Sequence, residues 1–319
     1  MSRLCVITDY MGDDTTEEVS MLSAQDIEVF VAPSTNPSDW FDAAVEADAI
    51  LTRHAPIERS TIEALKNCRI IARYGTGYDN IDADAAAQAN IVVTAVVDYA
   101  TPEVADHAMA LILSLVRALP SFRTSIVAGG WTPNPIPFVP RLEGKTLGLF
   151  GFGRIGSAVA RRASGFGLTT IVFDPYLTQT VANVERVATF EELLGRSEIL
   201  SLHAPLTNET RDVIDQMAIE RLPIGAIVIN VARGGLLDLE AAMDALDRGH
   251  LSGLGIDVAA VEPLAADHPI RHHDRAIVTP HVAYYSTGSV IDAKQQSASE
   301  IIRVLNGDKP LHPIRHIAV

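Results

Sequence analysis

The chain has 319 residues, 48% of them hydrophobic and only 6% aromatic, with a formal net charge of −15. That length exceeds one comfortable core, so two domains are expected, built from an Ala/Val/Ile-rich α/β pattern. So acidic a surface repels phosphates, which excludes nucleic acid and anionic membranes as expected partners. No apolar run approaches the ~20 residues of a membrane span.

The first nine residues read as a short strand ended by charge, with no signal-peptide h-region or cleavage site, so a cytoplasmic location is expected. Cys5 and Cys68 sit in apolar runs without metal-ligand spacing and read as buried, reduced thiols. Strand-like runs at 4–7, 28–31, 49–51, 70–72 and 91–93 alternate with helix-like segments such as 60–66 and 82–89. Alternation of this kind predicts a parallel sheet with helices on both faces.

A long helix is predicted next. Thr101 caps it, Pro102 fits its first turn, and Glu103 suits the positive end of its dipole. Apolar residues from Val104 to Leu119 recur at helical spacing until Pro120, which should end or kink the helix. Residues 129–140, with four prolines and one tryptophan, read as an irregular arm. A second alternating series has strands at 146–150, 170–173, 199–202, 226–231, 254–257 and 276–279. A last helix at about 289–305 then stops before Asn306-Gly307 and Pro310.

Gly151-Phe152-Gly153-Arg154-Ile155-Gly156 follows the first strand of that second series and opens a helix-like run. Asp174 ends the next strand. This context makes the spacing a dinucleotide fingerprint. Gly151 permits the tight turn, Gly153 admits a pyrophosphate against the backbone, and Gly156 lets the helix pack close to the sheet. The helix N-terminus holds the phosphates, and Arg154 is expected to add a cation. Asp174 should bind the adenosine ribose hydroxyls and repel a 2′-phosphate, which predicts NAD over NADP.

Arg233, Asp257 and His281 also fall at predicted strand ends, where ligands of such sheets bind, and Glu262 lies in a loop that can reach them. Carbonyl reduction needs a proton at oxygen as hydride reaches carbon, and histidine, with an ordinary pKa of about 6.5, supplies one near neutrality. A carboxylate such as Glu262 favours imidazolium and orients the ring. Arg233 can grip a substrate carboxylate with its planar fork. Asp257 reads as a nicotinamide contact rather than an acid or base. No metal site is expected.

With Arg73-Tyr74-Gly75-Thr76-Gly77-Tyr78-Asp79-Asn80-Ile81-Asp82, Asn230-Val231-Ala232-Arg233-Gly234-Gly235 and Thr279-Pro280-His281, the chain resembles the D-isomer-specific 2-hydroxyacid dehydrogenases end to end. The resemblance implies a catalytic Arg233, Glu262 and His281. It also implies a loop of Tyr74, Gly75, Thr76 and Gly77 whose backbone N–H groups bind the substrate carboxylate, with Thr76 near the nicotinamide. Ala204, Pro205 and Thr210 would line the adenosine side, and Val231 and Ala232 the nicotinamide.

The fold implied is a flavodoxin-like substrate domain, residues 1–99 and 286–319, and a Rossmann NAD-binding domain, residues 100–285. Each is a doubly wound parallel sheet. The family's homodimer forms through the nucleotide domain's long helix and arm. Asp174-Pro175-Tyr176 and Val282-Ala283-Tyr284-Tyr285-Ser286 resemble the C-terminal-binding-protein branch, which usually has tryptophan where Tyr284 stands.

Tyr284 therefore reads equally as a pocket residue for a large substrate side chain or as a core aromatic. Arg53, His54 and Tyr99 are further recognition candidates. The activity implied is NAD-dependent interconversion of a 2-keto acid and its D-2-hydroxy acid. An NAD(H)-sensing corepressor-like role and phosphite oxidation are the alternatives. Formate oxidation is disfavoured, because formate enzymes typically pair the histidine with glutamine.

Overall fold

Residues 3–12, 14–132 and 139–314 are described in a computed structural model of the chain. Residues 133–138, half of the expected arm, lie outside the described residues. The chain divides into one unit of residues 1–99 with 286–319 and a second of residues 100–285.

In the first unit, β1 (Arg3–Ile7), β2 (Ile27–Val31), β3 (Ala49–Thr52), β4 (Ile70–Arg73) and β5 (Val92–Ala95) pair in the order β2-β1-β3-β4-β5, all parallel. This is the flavodoxin-like order. Helices α1 (Thr16–Ser23), α2 (Phe41–Glu46), α3 (Arg59–Ala64) and α4 (Ala83–Gln88) connect the strands. The last helix, α11 (Thr287–Leu305), returns to pack against α1 and β4. Its start is a capping box in which Ser286 and Ser289 exchange side-chain and backbone hydrogen bonds. One core joins Val6, Ile50 and Ile71 to Trp40, whose ring is buried and whose N–H donates to the Thr35 carbonyl at 3.3 Å.

In the second unit, seven parallel strands run in the order β12-β11-β10-β9-β6-β7-β8. They are β6 (Thr146–Phe150), β7 (Thr169–Phe173), β8 (Val184–Arg186), β9 (Ile199–Leu202), β10 (Ala226–Asn230), β11 (Leu251–Ile256) and β12 (Ala276–Val278). This is a Rossmann sheet with one added strand, and its order reverses between β6 and β9. Helices α7 (Arg154–Gly165), α8 (Phe190–Arg196), α9 (Gln216–Arg221) and α10 (Leu239–Asp247) cross between strands. Strands buried on both faces read as near-continuous apolar runs, and β9 and β10 are buried at every residue. Each fully buried Leu, Ile or Val there contributes on the order of 1.5–3 kcal/mol of hydrophobic stabilisation.

One expectation is met in detail and one element was missed. The long helix α5 spans Thr101–Val116, and the kink expected at Pro120 is present as a 59° bend just before it. The chain turns through Ala118 at φ 51° and restarts as α6 (Leu119–Val127), with Pro120 in its first turn, where the missing N–H costs nothing. The strand β8 gave no periodic signal, because it is a three-residue edge strand, Val-Glu-Arg, with one partner. Among the described residues, no single helix is long and apolar enough to cross a membrane.

Candidate active site

The turn after β6 sits at the point where the sheet order reverses. Gly151 has φ 94°, and a Cβ there would lie 2.8 Å from backbone atoms of His203 and Ala204 at the end of β9. Only glycine allows both the left-handed conformation and that approach. At Gly156 a Cβ would lie 2.5 Å from the Gly151 carbonyl oxygen, so α7 is drawn against the turn. A Cβ at Gly153 would meet no atom within 4 Å, which leaves an open cradle over the N-terminus of α7. No side chain caps that terminus, so its N–H groups remain for an anion.

Asp174 follows β7 and accepts hydrogen bonds from Phe152 N–H at 2.7 Å and Tyr176 N–H at 2.8 Å. Each oxygen keeps lone pairs for a vicinal diol. Arg154 is exposed beside the cradle and Ile155 is half-buried. Beyond β9, the Thr210 hydroxyl donates to the Pro205 carbonyl at 2.7 Å, tying the turn that starts at Ala204. Val231, just past β10, is buried, and Ala232 N–H donates to Asn230 Oδ1 at 3.1 Å. These residues fit a dinucleotide.

His203 supports this turn from beneath, with Nε2 2.9 Å from Ser201 Oγ. Burial pushes its imidazole from 6.5 down to about 4, so the folded chain excludes a proton that the unfolded chain takes up. The associated stability is therefore present above pH 6.5 and lost as pH falls toward 4. In His203→Gln, urea unfolding at pH 7 and pH 4.5 should show a pH-dependent loss smaller by on the order of 2 kcal/mol. An unchanged difference would contradict a neutral, buried ring.

The other cluster forms where β10, β11 and β12 end. Thr279 and Pro280 follow β12, and His281 then adopts φ 53°, a left-handed conformation uncommon for a side-chain-bearing residue. Two carbonyls hold its N–H, Asp257 at 2.8 Å and Thr279 at 3.1 Å. The ring's Nδ1 lies 2.7 Å from Glu262 Oε2, and Glu262 Oε1 accepts the Ala259 N–H at 3.0 Å. Thus Glu262 is anchored at one oxygen and orients imidazole with the other. Arg233 follows β10, with its carbonyl held by Asn230 Nδ2 at 2.9 Å and its Nη1 donating to the Ala232 carbonyl at 2.8 Å. A Cβ on Gly234 would lie 1.9 Å from the Ala259 carbonyl carbon. Glycine there lets the Arg233 loop lie directly on the segment that leads to Glu262.

Asp257 has a task that the sequence did not indicate. Its carboxylate is buried and accepts the Thr279 hydroxyl at 2.5 Å, Val282 N–H at 2.9 Å and Ala283 N–H at 2.8 Å. It fixes the backbone on both sides of His281. Tyr284 is half-buried, with its ring edge-on to His281 at 6.5 Å, rather than in the core.

In the first unit, Tyr74 departs from its expected place among the substrate contacts. It is fully buried, its N–H donates to Thr52 at 3.0 Å, and its hydroxyl donates to Glu18 Oε1 at 2.6 Å. Burial raises the Glu18 carboxyl, and desolvation raises the Tyr74 phenol well above its ordinary value. The N–H groups of Gly75, Thr76 and Gly77, which follow Tyr74, are absent from the backbone–backbone hydrogen bonds of the described residues. The Thr76 hydroxyl donates to the Val96 carbonyl at 3.0 Å. Asp9 gathers the neighbouring loop, accepting N–H groups from Arg53 at 2.8 Å and His54 at 2.6 Å. Tyr99 contributes a hydroxyl 3.5 Å from where a Gly75 Cβ would stand.

His107, Thr279 and Asp9 were not assigned roles from sequence. Each makes hydrogen bonds to partners far along the chain, although Thr279 stands in the Thr279-Pro280-His281 run.

Residues 109–283 match the family model described as D-isomer specific 2-hydroxyacid dehydrogenase, NAD binding domain. The chain is 34% identical over 306 residues to a D-3-phosphoglycerate dehydrogenase of Bacillus subtilis, covering 95% of this chain and 57% of that protein. A D-3-phosphoglycerate dehydrogenase of Methanocaldococcus jannaschii is also 34% identical, with the same coverage. The chain thus spans little more than half the length of these relatives. Among solved structures, the NAD-dependent formate dehydrogenase from Staphylococcus aureus in complex with NAD superposes with a TM-score of 0.89 at 27% identity, covering 98% of this chain and 99% of that one. D-lactate dehydrogenase from Aquifex aeolicus, complexed with NAD and lactic acid, gives 0.84 at 26% identity and 96% coverage of both chains.

Proposed function

Since the chain belongs to the D-isomer-specific 2-hydroxyacid dehydrogenase family and carries its NAD-binding domain, we propose that it interconverts a 2-keto acid and its D-2-hydroxy acid. The observation that carries this reading is the 2.7 Å contact between His281 Nδ1 and Glu262 Oε2, at the strand-end side of a dinucleotide-binding sheet. The coenzyme, when bound, would supply the hydride as NADH or accept it as NAD⁺. Gly151, Gly153, Arg154, Ile155 and Gly156 would hold its pyrophosphate, with Asp174, Ala204, Pro205 and Thr210 at the adenosine and Val231 and Ala232 at the nicotinamide.

In reduction, His281 holds the proton at Nε2 and delivers it to the carbonyl oxygen, while Glu262 at Nδ1 stabilises the imidazolium. In oxidation, the neutral ring takes the hydroxyl proton back. Arg233 grips the substrate carboxylate with its planar fork. Tyr284 lines the side-chain pocket. Formate oxidation moves a hydride and no proton, so a carboxylate-supported histidine favours a hydroxy-acid substrate over formate. The D-3-phosphoglycerate dehydrogenase relatives make 3-phosphoglycerate, itself a 2-hydroxy acid, one candidate of this class.

The decisive assay is NADH oxidation with pyruvate, glyoxylate, hydroxypyruvate, phenylpyruvate, 2-ketoisocaproate and 3-phosphohydroxypyruvate, with chiral analysis of the product. Turnover of none of them, or an L-product, refutes the reading. The assembly we propose is a homodimer through α5, α6 and the arm. The exposed Val127 and Trp131, 75% and 90% accessible, support it, and sedimentation as a monomer would refute it.

Two variants probe the assigned groups. Asp174→Asn keeps an acceptor for Phe152 N–H but removes the charge that repels a 2′-phosphate. The kcat/KM preference for NADH over NADPH should fall by about tenfold or more, and unchanged selectivity counts against the assignment. Glu262→Gln removes the negative charge beside Nδ1. The kcat for reduction should then fall by about tenfold or more, because the ring loses the charge that orients it and favours its protonated form, with the Kd for NADH near wild type. An unchanged kcat rejects the role.

A further inference from the structure

Behind the His281–Glu262 pair runs a chain of hydrogen bonds that the proposed reaction does not use. His107 on α5 places Nε2 2.9 Å from the Thr279 hydroxyl and 3.7 Å from Asp257 Oδ1. The Thr279 hydroxyl donates to Asp257 Oδ1 at 2.5 Å, and the same carboxylate accepts the N–H groups of Val282 and Ala283. An ionised carboxylate only accepts, and a hydroxyl has one proton. With that proton on Asp257, Thr279 Oγ1 must accept from His107, which fixes Nε2–H as the donor.

We propose that His107 is a positioning residue for His281, acting through Thr279 and Asp257. The inference rests on His281 being the acid–base group of the proposed function.

The physical argument has two parts. The Asp257 side chain is only 1% exposed, so its charge is stabilised by its donors rather than by water, and each donor must stay aligned. Two of those donors are backbone groups immediately after His281, a residue held at φ 53° that needs external constraint to persist. Removing the His107 donor leaves the Thr279 hydroxyl without its second partner. The hydroxyl is then able to rotate away from Asp257, and the turn carrying the imidazole loosens. A displacement well under 1 Å at a proton-transfer group slows the reaction by one to two orders of magnitude.

His107→Phe keeps the ring volume and removes the donor, whereas His107→Gln places an amide N–H at about the same reach. We expect kcat for keto-acid reduction to fall about ten- to hundredfold in the Phe variant, with the Kd for NADH and the Tm close to wild type. The primary isotope effect on kcat with 4-deuterated NADH should rise, because the chemical step becomes limiting. His107→Gln should recover kcat to within about threefold and return the isotope effect to its wild-type value.

A readout without substrate accompanies this. In the cofactor-free protein the His281 ring resonance, identified by its absence in His281→Ala, should shift in His107→Phe and return in His107→Gln. A Phe variant with wild-type kcat and an unmoved His281 resonance overturns the proposal. So does an equal loss in Phe and Gln variants, or a kcat loss matched by weakened NADH binding, which marks a merely structural tie between α5 and β12. If the wild type reduces no keto acid, the proposed function fails, and the resonance alone then decides whether His107 positions the ring.

Discussion

Replacing His281 with asparagine is expected to lower kcat for 2-keto acid reduction by about 10³-fold or more, while NADH still binds with near wild-type affinity. The imidazole is the group placed to hold a transferable proton at this strand end, and its Nδ1 is already committed to Glu262 at 2.7 Å. Loss of the ring removes both the acid and the group that Glu262 orients. Asparagine is the informative replacement because position 281 sits at φ 53°, where asparagine is tolerated and alanine is strained by roughly 1 kcal/mol. His281→Ala should show the same loss, so agreement between the two separates chemistry from backbone strain. The cradle at Gly151, Gly153 and Gly156 is built from other strands, so fluorescence titration should find NADH bound in both variants. Single-turnover rates within tenfold of wild type in either would reject His281 as the acid–base group.

Arg233→Lys should lower kcat/KM by about 10²-fold, mostly through KM. Guanidinium presents paired N–H groups in a plane that matches a carboxylate, whereas ammonium is a point charge with no such fork. The change should stay local. The Arg233 carbonyl is held by Asn230 Nδ2, and Gly234 keeps the loop against Ala259 whichever side chain stands at position 233. Kd for NADH and Tm are therefore expected to remain near wild type. Saturation kinetics with the best keto acid decide the matter, and a kcat/KM within about threefold of wild type would show that the fork does not grip the substrate.

The cofactor end was the more legible half of the site. Gly151, Gly153 and Gly156 serve three different steric needs, and each need is local to one strand–turn–helix unit. Asp174 follows from the same unit, one strand later. Strand positions were readable because buried parallel strands are continuous apolar runs. The short polar strand β8 was not, whereas Pro120 marked the break between α5 and α6, where it sits in the first turn of α6.

Side-chain destinations were harder. Tyr74 lies within a run whose glycines invite a ligand, yet its own N–H and hydroxyl serve Thr52 and Glu18. Asp257 stands at a strand end and reads from sequence as a nicotinamide contact, yet its buried carboxylate secures the turn of His281.

Sequence alone determined what depends on neighbours along the chain: the alternation of strands and helices, the glycine turn, and which residue types could perform hydride-coupled acid–base chemistry. Backbone dihedrals and side-chain periodicity are properties of a few consecutive residues, so they are written locally. Apart from Glu262 with His281, which the motifs already paired, tertiary structure alone decided which carboxylate meets which donor. Thr279 is 172 residues from His107, and Tyr74 is 56 residues from Glu18. Contacts over such separations arise only once packing has chosen a single arrangement of the elements, because a hydrogen bond needs atoms placed to a few tenths of an ångström and no local pattern carries that precision.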